Sequence, residues 1–380
     1  MTRFEFATAA RIVFGPGTVS QLADIAREFG GNRPLVVTGR HDRQAPLKDR
    51  EVSTFSIAGE PTLDCVRQGT EAARSCDMVI AIGGGSVIDG GKAIAALATN
   101  PGDPLDYLEV IGKGQPIRVR PLPFIAIPTT AGTGSEVTRN AVLGSPEHGV
   151  KASLRSAMML AKAAIVDPDL TRGLPPHLTA STGLDALTQL IEPYVSPRAN
   201  PITDAFCRDG IERAAVHLPR AYADGGDAEA RENMSLASLL GGFALANAGL
   251  GVVHGFAAPI GGMFEAPHGA VCAALLPHGM RANIQALRER APRHPSLERY
   301  REIARILTGD SDAVAEDGVQ WVAELCRKLA IQPLSAYGIT GRHVADLVDK
   351  ASRASSMKAN PIGLTSGELT TVVEEAMVFD

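Results

Sequence analysis

A carboxylate and two imidazoles in the second half of the chain are side chains of the types that bind a divalent metal. Asp185 lies in Thr-Gly-Leu-Asp-Ala-Leu-Thr-Gln, His254 in Gly-Val-Val-His-Gly and His268 in Ala-Pro-His-Gly-Ala. Two imidazoles and one carboxylate form a set that Fe²⁺ accepts, and Zn²⁺ binds the same donor types. A histidine taken alone is more often a hydrogen-bonded core residue, so the metal hypothesis requires all three side chains to converge in the folded protein.

A glycine-rich turn further upstream is of the kind that holds a pyrophosphate. It reads Ile-Gly-Gly-Gly-Ser-Val-Ile-Asp-Gly-Gly-Lys over residues 82–92, between a predicted buried strand and a predicted helix. Glycine lets the backbone approach a phosphate, and a helix N-terminus presents free N–H groups and a positive dipole end. We expect Ser86 to be the N-cap, and Asp89 and Lys92 to reach ribose or nicotinamide groups. A tight connection without a ligand is the alternative. The expected cofactor-binding residues here are Gly83, Gly84, Gly85, Ser86 and Asp89.

A second loop, Pro-Thr-Thr-Ala-Gly-Thr-Gly-Ser-Glu-Val-Thr over residues 128–138, also follows a predicted buried strand. Its hydroxyl groups suit a polar ligand, and Gly132 and Gly134 permit close approach, although such loops alone are usually turns. Ligands of open α/β sheets bind beyond the carboxyl ends of the strands, so the two loops predict one crevice. The residues of this loop expected to contact the cofactor are Thr129, Thr130, Thr133 and Thr138.

The turn after the predicted strand Leu35–Thr38 is where an adenosine ribose is usually bound, and it carries Gly39-Arg40. An acidic residue there would bind a 2′-hydroxyl and repel a 2′-phosphate. A guanidinium in its place favours a 2′-phosphate, so Gly39 and Arg40 are expected cofactor residues and NADP is favoured over NAD. A solvated Arg40 without a ligand is the alternative.

Two domains must position these residues: an α/β dinucleotide-binding domain over residues 1–175 and an all-α metal and substrate domain over residues 176–380. In the first, short β-branched runs alternate with amphipathic stretches, which indicates a parallel, Rossmann-like sheet covered by helices. After Pro175-Pro176 strand patterns cease and long helical patterns follow. The predicted strands are Arg11–Phe14 at an edge, Leu35–Thr38, Met78–Ile82 and Phe124–Ile127. The predicted helices are Val19–Phe29, Leu63–Arg74, Val87–Ala98, Leu178–Tyr194, Ile202–Leu218, Ala228–Ala248 and Val314–Leu329.

Composition excludes several classes of protein. The formal net charge is −5 and no long Lys/Arg cluster is present to neutralise phosphates, which argues against nucleic-acid binding. No apolar run approaches the roughly 18 residues that a membrane span needs, and the charged N-terminus argues against a signal peptide. The five cysteines lack any Cys-x-x-Cys spacing, which fits a reducing cytoplasm rather than a disulfide scaffold. We therefore expect a cytoplasmic protein whose partner is a small molecule.

Together these segments resemble the iron-containing, or group III, alcohol dehydrogenases. The likeness runs from Ile12-Val-Phe-Gly-Pro-Gly to Lys358-Ala-Asn-Pro. It is strongest in Gly83-Gly-Gly-Ser-x-x-Asp-x-x-Lys, Pro128-Thr-Thr-Ala-Gly-Thr-Gly-Ser-Glu, Gly183-Leu-Asp-Ala-Leu-Thr and Pro267-His-Gly. The resemblance implies an N-terminal dinucleotide domain, a helical C-terminal domain, NAD or NADP as cofactor, a bound Fe²⁺ or Zn²⁺ and often a homodimer. It also implies that Asp185, His254 and His268 are metal ligands.

The chain departs from the family pattern at two positions. Gln189 stands where the family has a ligand histidine; an amide oxygen binds Fe²⁺ or Zn²⁺ more weakly than imidazole, and we retain Gln189 in the predicted metal set. Ala258 stands where many members carry a histidine proposed to relay protons. Proton transfer is then left to water, a ribose hydroxyl or another side chain such as His278, for which packing or support of the ligands is the favoured interpretation.

The resemblance implies metal-assisted hydride transfer between a small alcohol and its aldehyde or ketone. Four interpretations stay open, of which this is the first. The second is a metal-independent enzyme similar to maleylacetate reductase, in which Arg139 and Lys151 hold a substrate carboxylate; Lys151 is also counted with the cofactor-binding residues. The favoured interpretation of Arg139 and Lys151 is nevertheless that they are solvated charges. A lyase similar to dehydroquinate synthase is disfavoured because the helical half lacks a Lys/Arg cluster. A non-catalytic nucleotide-binding relative is the fourth.

Overall fold

The computed structural model describes residues 3–39, 45–47 and 51–378, and within them the chain forms two compact units. One unit is Phe6–Arg172, and the other begins at Gly173 and includes the described residues before Phe6. The first combines helices with a parallel sheet and the second is helical, which confirms the predicted fold class.

A parallel sheet forms the centre of the first unit. Within the described residues, the strands are β1 (Ile12–Phe14), β2 (Pro34–Thr38), β3 (Ser53–Ser56), β4 (Met78–Gly83), β5 (Phe124–Pro128), β6 (Asn140–Ser145), β7 (Val150–Arg155) and β8 (Ala163–Val166). Six of them form one sheet in the order β1-β8-β5-β4-β2-β3, and β6 and β7 form a separate antiparallel pair. The helices of this unit are α1 (Leu22–Glu28), α2 (Leu63–Ala72), α3 (Gly85–Leu97) and α4 (Pro104–Tyr107).

The strand order creates a switch point beside β4. The chain passes from β2 outward to β3, then returns to the other side of β2 with β4 and β5. Strands β2, β4, β5 and β8 are buried along their whole length, because a parallel sheet is covered on both faces. In open sheets of this type, ligands bind beyond the carboxyl ends of the strands at the switch point.

Four strands were missed by the sequence analysis. β3 is a short Ser-Thr-Phe-Ser edge strand that alternates between half-buried and exposed residues, so it lacks a continuous apolar run. β6 and β7 also alternate, because they pair with each other outside the main sheet. β8 is the buried run Ala-Ala-Ile-Val, which is too short and too rich in alanine to signal a strand by pattern. β1, by contrast, confirms the predicted edge strand.

The second unit consists of helices that pack around α5. Its helices are α5 (Pro176–Val195), α6 (Pro201–Ala223), α7 (Ala228–Ala248), α8 (Val252–Met263), α9 (His268–Arg290), α10 (Pro295–Thr308), α11 (Ala315–Lys328), α12 (Gly341–Ser352) and α13 (Ser366–Ala376). Every residue from Gly183 to Val195 in α5 is buried, so this helix lies in the core rather than at the surface. The predicted helices in this half correspond to α5, α6, α7 and α11.

Helices α8 and α9 contain internal glycine and proline residues, and the sequence analysis predicted neither helix. Pro259 lies within α8 and Pro277 within α9. Proline removes one intrahelical hydrogen bond and usually marks a helix end, so a local pattern favours a break at these positions. Tertiary packing keeps both helices continuous.

None of the described helices alone is long and apolar enough to cross a bilayer. Helices α7 and α8 taken together reach the necessary length and apolar composition, but the pair is bent by 99°.

Candidate functional site

Four side chains of the helical unit converge on one point. The ligand atoms of Asp185, His254, His268 and Cys272 all lie within 4.8 Å of one another. Asp185 Oδ1 is 3.4 Å from His254 Nε2 and 3.8 Å from His268 Nε2. Asp185, His254 and Cys272 are buried, whereas the His268 side chain is 35% exposed, so the cluster opens on its His268 side. The three residues that the sequence singled out therefore meet, and a cysteine joins them.

Three helices supply these groups. Asp185 lies in the middle of α5, His254 in the first turn of α8, and His268 is the first residue of α9. Cys272 is four residues after His268 in α9, so both side chains project from the same helical face.

A glycine allows α9 to approach α5 closely. A Cβ added at Gly269 would lie 2.5 Å from the backbone oxygen of Ser181 and 3.4 Å from Asp185 Cβ. Because the Ser181 oxygen belongs to the backbone of a buried helix, it cannot move aside as a flexible side chain would. Gly269 thereby brings His268 and Cys272 within reach of Asp185.

The start of α8 is fixed by two buried side chains from elsewhere in the unit. The Val252 N–H donates to Asn360 Oδ1 at 3.0 Å, and the Val253 N–H donates to Glu192 Oε1 at 2.7 Å. The first N–H groups of a helix have no partner inside it, so these oxygens satisfy donors that would otherwise be unpaired. Asn360 is itself held by Asn283 through paired amide hydrogen bonds. His254 is therefore presented from a rigid helix end.

Glu192 also orients the His254 ring. Its Oε2 lies 2.7 Å from His254 Nδ1, and a carboxylate accepts, so Nδ1 carries the proton and donates. This tautomer leaves the Nε2 lone pair facing the cluster, which is the arrangement that metal-binding histidines usually have. The sequence analysis assigned Glu192 no role. It lies seven residues, or two helical turns, after Asp185, and that spacing is the signal that could have found it.

The cluster favours positive charge. Burial lowers the pKa of His268, but electrostatic interactions with Cys272 and Asp185 outweigh it and raise the pKa to about 9. Burial opposes the charged form of His254 as well, yet its pKa lies well above the ordinary value because Cys272, Asp185 and Glu192 surround it. Burial raises the pKa of Asp185, but His268 and His254 outweigh this and hold it below the usual value.

A divalent metal fits this cluster. Asp185 Oδ1 is buried and has no hydrogen-bond partner among the described residues, although a buried carboxylate oxygen without a donor is costly. A cation bound between this oxygen and the facing imidazole nitrogens would compensate that cost. Gln189 Oε1 is likewise buried without a hydrogen-bond partner in the described chain, one turn after Asp185. The assignment of Gln189 to the metal set stays a prediction.

The two predicted cofactor loops lie side by side in the first unit, at the carboxyl ends of the neighbouring strands β4 and β5. Gly83 ends β4, Pro128 ends β5, and the two residues pair in register. The Thr129 N–H donates to Gly83 O at 2.9 Å. A Cβ on Gly84 would lie 3.5 Å from Thr130, and one on Gly85 would lie 2.6 Å from Thr133. Gly85 is therefore required by the close approach of the second loop.

The glycine-rich turn at the start of α3 has the form of a phosphate-binding site. The predicted N-cap, however, is wrong. Ser86 is not the N-cap: α3 begins at Gly85 and its N-cap is Gly84, because Val87 and Ile88 N–H both donate to Gly84 O. Ser86 instead lies in the first turn of α3. The first N–H groups of such a helix have no intrahelical acceptor and form an anion site.

Asp89, Lys92 and Thr138 join the two loops to each other. Asp89 accepts a hydrogen bond from Ser135 Oγ and another, of 2.9 Å, from the Val142 N–H. The buried Lys92 Nζ lies within 3.1 Å of four acceptors on the second loop and β6: Ser135 O, Ser135 Oγ, Thr138 Oγ1 and Asn140 O. Burial lowers the pKa of Lys92, and Asp89 and Glu136 oppose that shift. These residues hold the loops in shape from within the protein.

The other predicted site residues are placed as follows. Gly39 follows β2 directly, and Arg40 lies outside the described residues. Lys151, on β7, forms an ion pair of 3.1 Å with Glu60. His278, on α9, has its Nδ1 3.0 Å from Glu375 Oε2.

Comparison with known proteins decides the family. Residues 179–377 match the C-terminal part of the Fe-containing alcohol dehydrogenase family, and residues 9–168 match iron-containing alcohol dehydrogenase. The chain belongs to the iron-containing alcohol dehydrogenases. It is 37% identical to alcohol dehydrogenase 4 of Schizosaccharomyces pombe, covering 96% of this chain and 87% of that one. It is 34% identical to 1,3-propanediol dehydrogenase of Citrobacter freundii, covering 96% of each.

Solved structures agree with this membership. A crystal structure of 1,3-propanediol oxidoreductase superposes with a TM-score of 0.90 at 32% identity, covering 99% of this chain and 100% of that one. Sulfoacetaldehyde reductase from Bifidobacterium kashiwanohense, solved in complex with NAD⁺, gives a TM-score of 0.87 at 30% identity over 100% of both chains. As an iron-containing alcohol dehydrogenase, the chain is an NAD(P)-dependent oxidoreductase of alcohols and aldehydes, and the family implies a divalent metal. The relatives do not favour the metal-independent or non-catalytic alternatives.

Replacing Lys92 tests the connection between the loops of this iron-containing alcohol dehydrogenase. Lys92→Met keeps most of the side-chain volume but leaves buried acceptors on the second loop unpaired. We expect the free energy of unfolding of the first unit to fall by roughly 3–5 kcal/mol, measured by urea denaturation. Lys113→Met, which removes an exposed lysine paired with Asp106, is the control and should leave the transition unchanged. Equal midpoints for both variants would contradict the proposed connection.

Replacing Glu192 tests the orientation of His254. Glu192→Gln is isosteric, and its amide oxygen still accepts from Val253, but its NH₂ group then faces His254 Nδ1. Nδ1 must lose its proton to accept that bond, which places the proton on Nε2, where it blocks a metal. We expect metal affinity to fall roughly 10–100-fold, measured by competition with a chromogenic chelator. Glu289→Gln, an exposed change on α9, is the control, and unchanged affinity in Glu192→Gln refutes the orienting role.

Proposed function

We propose that this chain catalyses reversible hydride transfer between a small alcohol and its aldehyde or ketone, with NADP(H) as coenzyme. A divalent metal, Fe²⁺ or Zn²⁺, is held by Asp185, His254 and His268. The observation that carries the proposal is the buried Asp185 Oδ1, which faces two imidazole nitrogens and has no hydrogen-bond donor in the described chain. We further propose that residues 1–175 form the dinucleotide-binding domain and residues 176–380 the metal and substrate domain.

When bound, the metal supplies Lewis acidity at the substrate oxygen, and the nicotinamide supplies or accepts the hydride. The residues of the chain supply position and charge. Asp185 contributes a negative charge that is held in place by burial in α5, and Glu192 keeps His254 in the ligating tautomer. Such fixed groups stabilise a developing charge without reorganising during the reaction.

Substrate access is expected on the His268 side of the cluster. Asp185, His254 and Cys272 are buried, so water and substrate cannot approach from their side, whereas the His268 side chain is partly exposed. Relatives are named for 1,3-propanediol and 4-hydroxybutyrate, both short primary alcohols with a second polar group. A similar substrate class is therefore proposed for this chain.

The proposed cofactor site consists of the turn Gly83–Ser86, the hydroxyls of Thr129, Thr130 and Thr133, and Gly39 after β2. A Cβ at Gly85 would lie 2.6 Å from Thr133, and this close approach of the two loops supports a shared phosphate-binding surface. Asp89 and Thr138 act from inside this surface by holding the loops. The preference for NADP rests on the sequence Gly39-Arg40, which provides a guanidinium and no carboxylate at the ribose position.

A metal and coenzyme screen tests the proposed function. Protein stripped with a chelator is reloaded with Fe²⁺ or Zn²⁺ and assayed with NADH and NADPH on short aldehydes, with and without a terminal polar group. We expect turnover only after metal is restored, and faster turnover with NADPH. Asp185→Ala should lose most of the bound metal and its activity, whereas Asp349→Ala, an exposed change on α12, should lose neither. Asp185→Ala with normal metal content and turnover would sink the assignment.

We also propose a cytoplasmic homodimer formed along the free edge of β1. β1 pairs only with β8 in the described sheet, so its other edge has unpaired backbone groups. The five free cysteines suit a reducing compartment. Sedimentation equilibrium should give about twice the 39.8 kDa chain mass, and Val13→Pro, which changes the centre of β1, should give the monomer mass. A monomer at micromolar concentration in the unaltered protein contradicts the dimer, and cell fractionation tests the location.

A further inference from the structure

Cys272 lies in the metal cluster and has no role in the sequence-based assignment. Its Sγ is 3.7 Å from His268 Nε2 and 3.9 Å from His254 Nε2, and the residue is fully buried. We propose that Cys272, as a thiolate, is a protein ligand of the metal beside Asp185, His254 and His268. This inference rests on the proposed function, because it concerns the same metal centre.

The distances match a shared cation better than a set of hydrogen bonds. A tetrahedral Zn²⁺ with the usual bond lengths separates sulfur from nitrogen by about 3.5 Å, and oxygen from nitrogen by about 3.3 Å. The sulfur–nitrogen distances here are 3.7 and 3.9 Å, and the oxygen–nitrogen distances are 3.4 and 3.8 Å. These four distances lie within about 0.5 Å of those expected for one shared metal.

The unpartnered carboxylate oxygen gives independent support. Asp185 Oδ1 is buried, belongs to a different helix from Cys272, and has no hydrogen-bond partner in the described chain. A thiol that packed there only as an apolar group would not require such an oxygen beside it. The thiolate and the carboxylate together neutralise a divalent cation at a site from which water is largely excluded.

As a metal donor, the Cys272 thiolate is expected to be stronger than the amide oxygen of Gln189. An amide oxygen is a neutral and weak donor, whereas a thiolate is charged and soft. Cys272 follows His268 by one helical turn, so its position is fixed by the same helix that presents a ligand already in the set. The partly exposed His268 side would let a substrate oxygen approach a metal held by these residues.

A thiolate also sets the metal preference. Soft sulfur ligands favour Zn²⁺ over Fe²⁺ relative to a set made of nitrogen and oxygen alone. The centre of this chain is therefore expected to retain Zn²⁺ in competition with Fe²⁺. Replacing the sulfur by oxygen in Cys272→Ser should reduce the ratio of Zn²⁺ to Fe²⁺ affinities by roughly tenfold or more.

Cobalt substitution tests the ligand directly, without an activity measurement. Co²⁺ bound by a thiolate gives an intense sulfur-to-metal charge-transfer band in the near ultraviolet, and any bound Co²⁺ gives weaker visible bands. Full-length protein stripped of metal and loaded with Co²⁺ should show both. Cys272→Ser should keep the visible bands and lose the charge-transfer band. Cys326→Ser is the control, because Cys326 is equally buried and donates to Ala273 O beside Cys272; it should keep both.

The outcomes separate this inference from the proposed function. Visible bands without a charge-transfer band in the unaltered protein overturn the role of Cys272 and leave the metal centre standing. A charge-transfer band that persists in Cys272→Ser overturns it as well. Absence of any Co²⁺ or Zn²⁺ binding by the unaltered protein overturns both. The measurement on the unaltered protein decides the question even if Cys272→Ser fails to fold.

Discussion

The helical unit is organised around a buried carboxylate that faces imidazoles instead of a hydrogen-bond donor. An ionised oxygen in such a place is unfavourable unless positive charge lies beside it. The surrounding structure supplies that environment: α5 buries Asp185, Gly269 lets α9 come close, and Glu192 turns His254 toward the cluster. Together these features place a carboxylate and two imidazoles within reach of one another.

In the α/β unit, internal contacts hold two loops in a fixed shape at the carboxyl ends of β4 and β5. A buried lysine donates to backbone and hydroxyl oxygens of the second loop, and glycines in the first leave room for threonine side chains. These internal contacts fix the conformation of both loops. The start of α3 has backbone N–H groups of the kind that bind a phosphate.

The metal centre illustrates how a ligand set is defined in space rather than along the chain. Gln189, one turn after Asp185 on α5, offers only a neutral amide oxygen, which is a weaker donor than imidazole. A cysteine one turn after His268 reaches the same point from another helix. The four groups that meet at this point come from three helices, and no local motif records that they meet.

The sequence alone determined the fold class, the strands with continuous apolar runs and the glycine-rich and threonine-rich loops, because these depend on local patterns. It also identified Asp185, His254 and His268 by residue type and family motif. It did not point to Glu192 or Cys272, because both side chains approach His254 only where α5, α8 and α9 meet in the folded chain. It placed the N-cap at Ser86 rather than Gly84, and it missed α8 and α9, whose internal prolines signal a break that packing overrides. Local patterns record which face of an element is apolar, and only tertiary packing decides which polar groups that burial brings into contact.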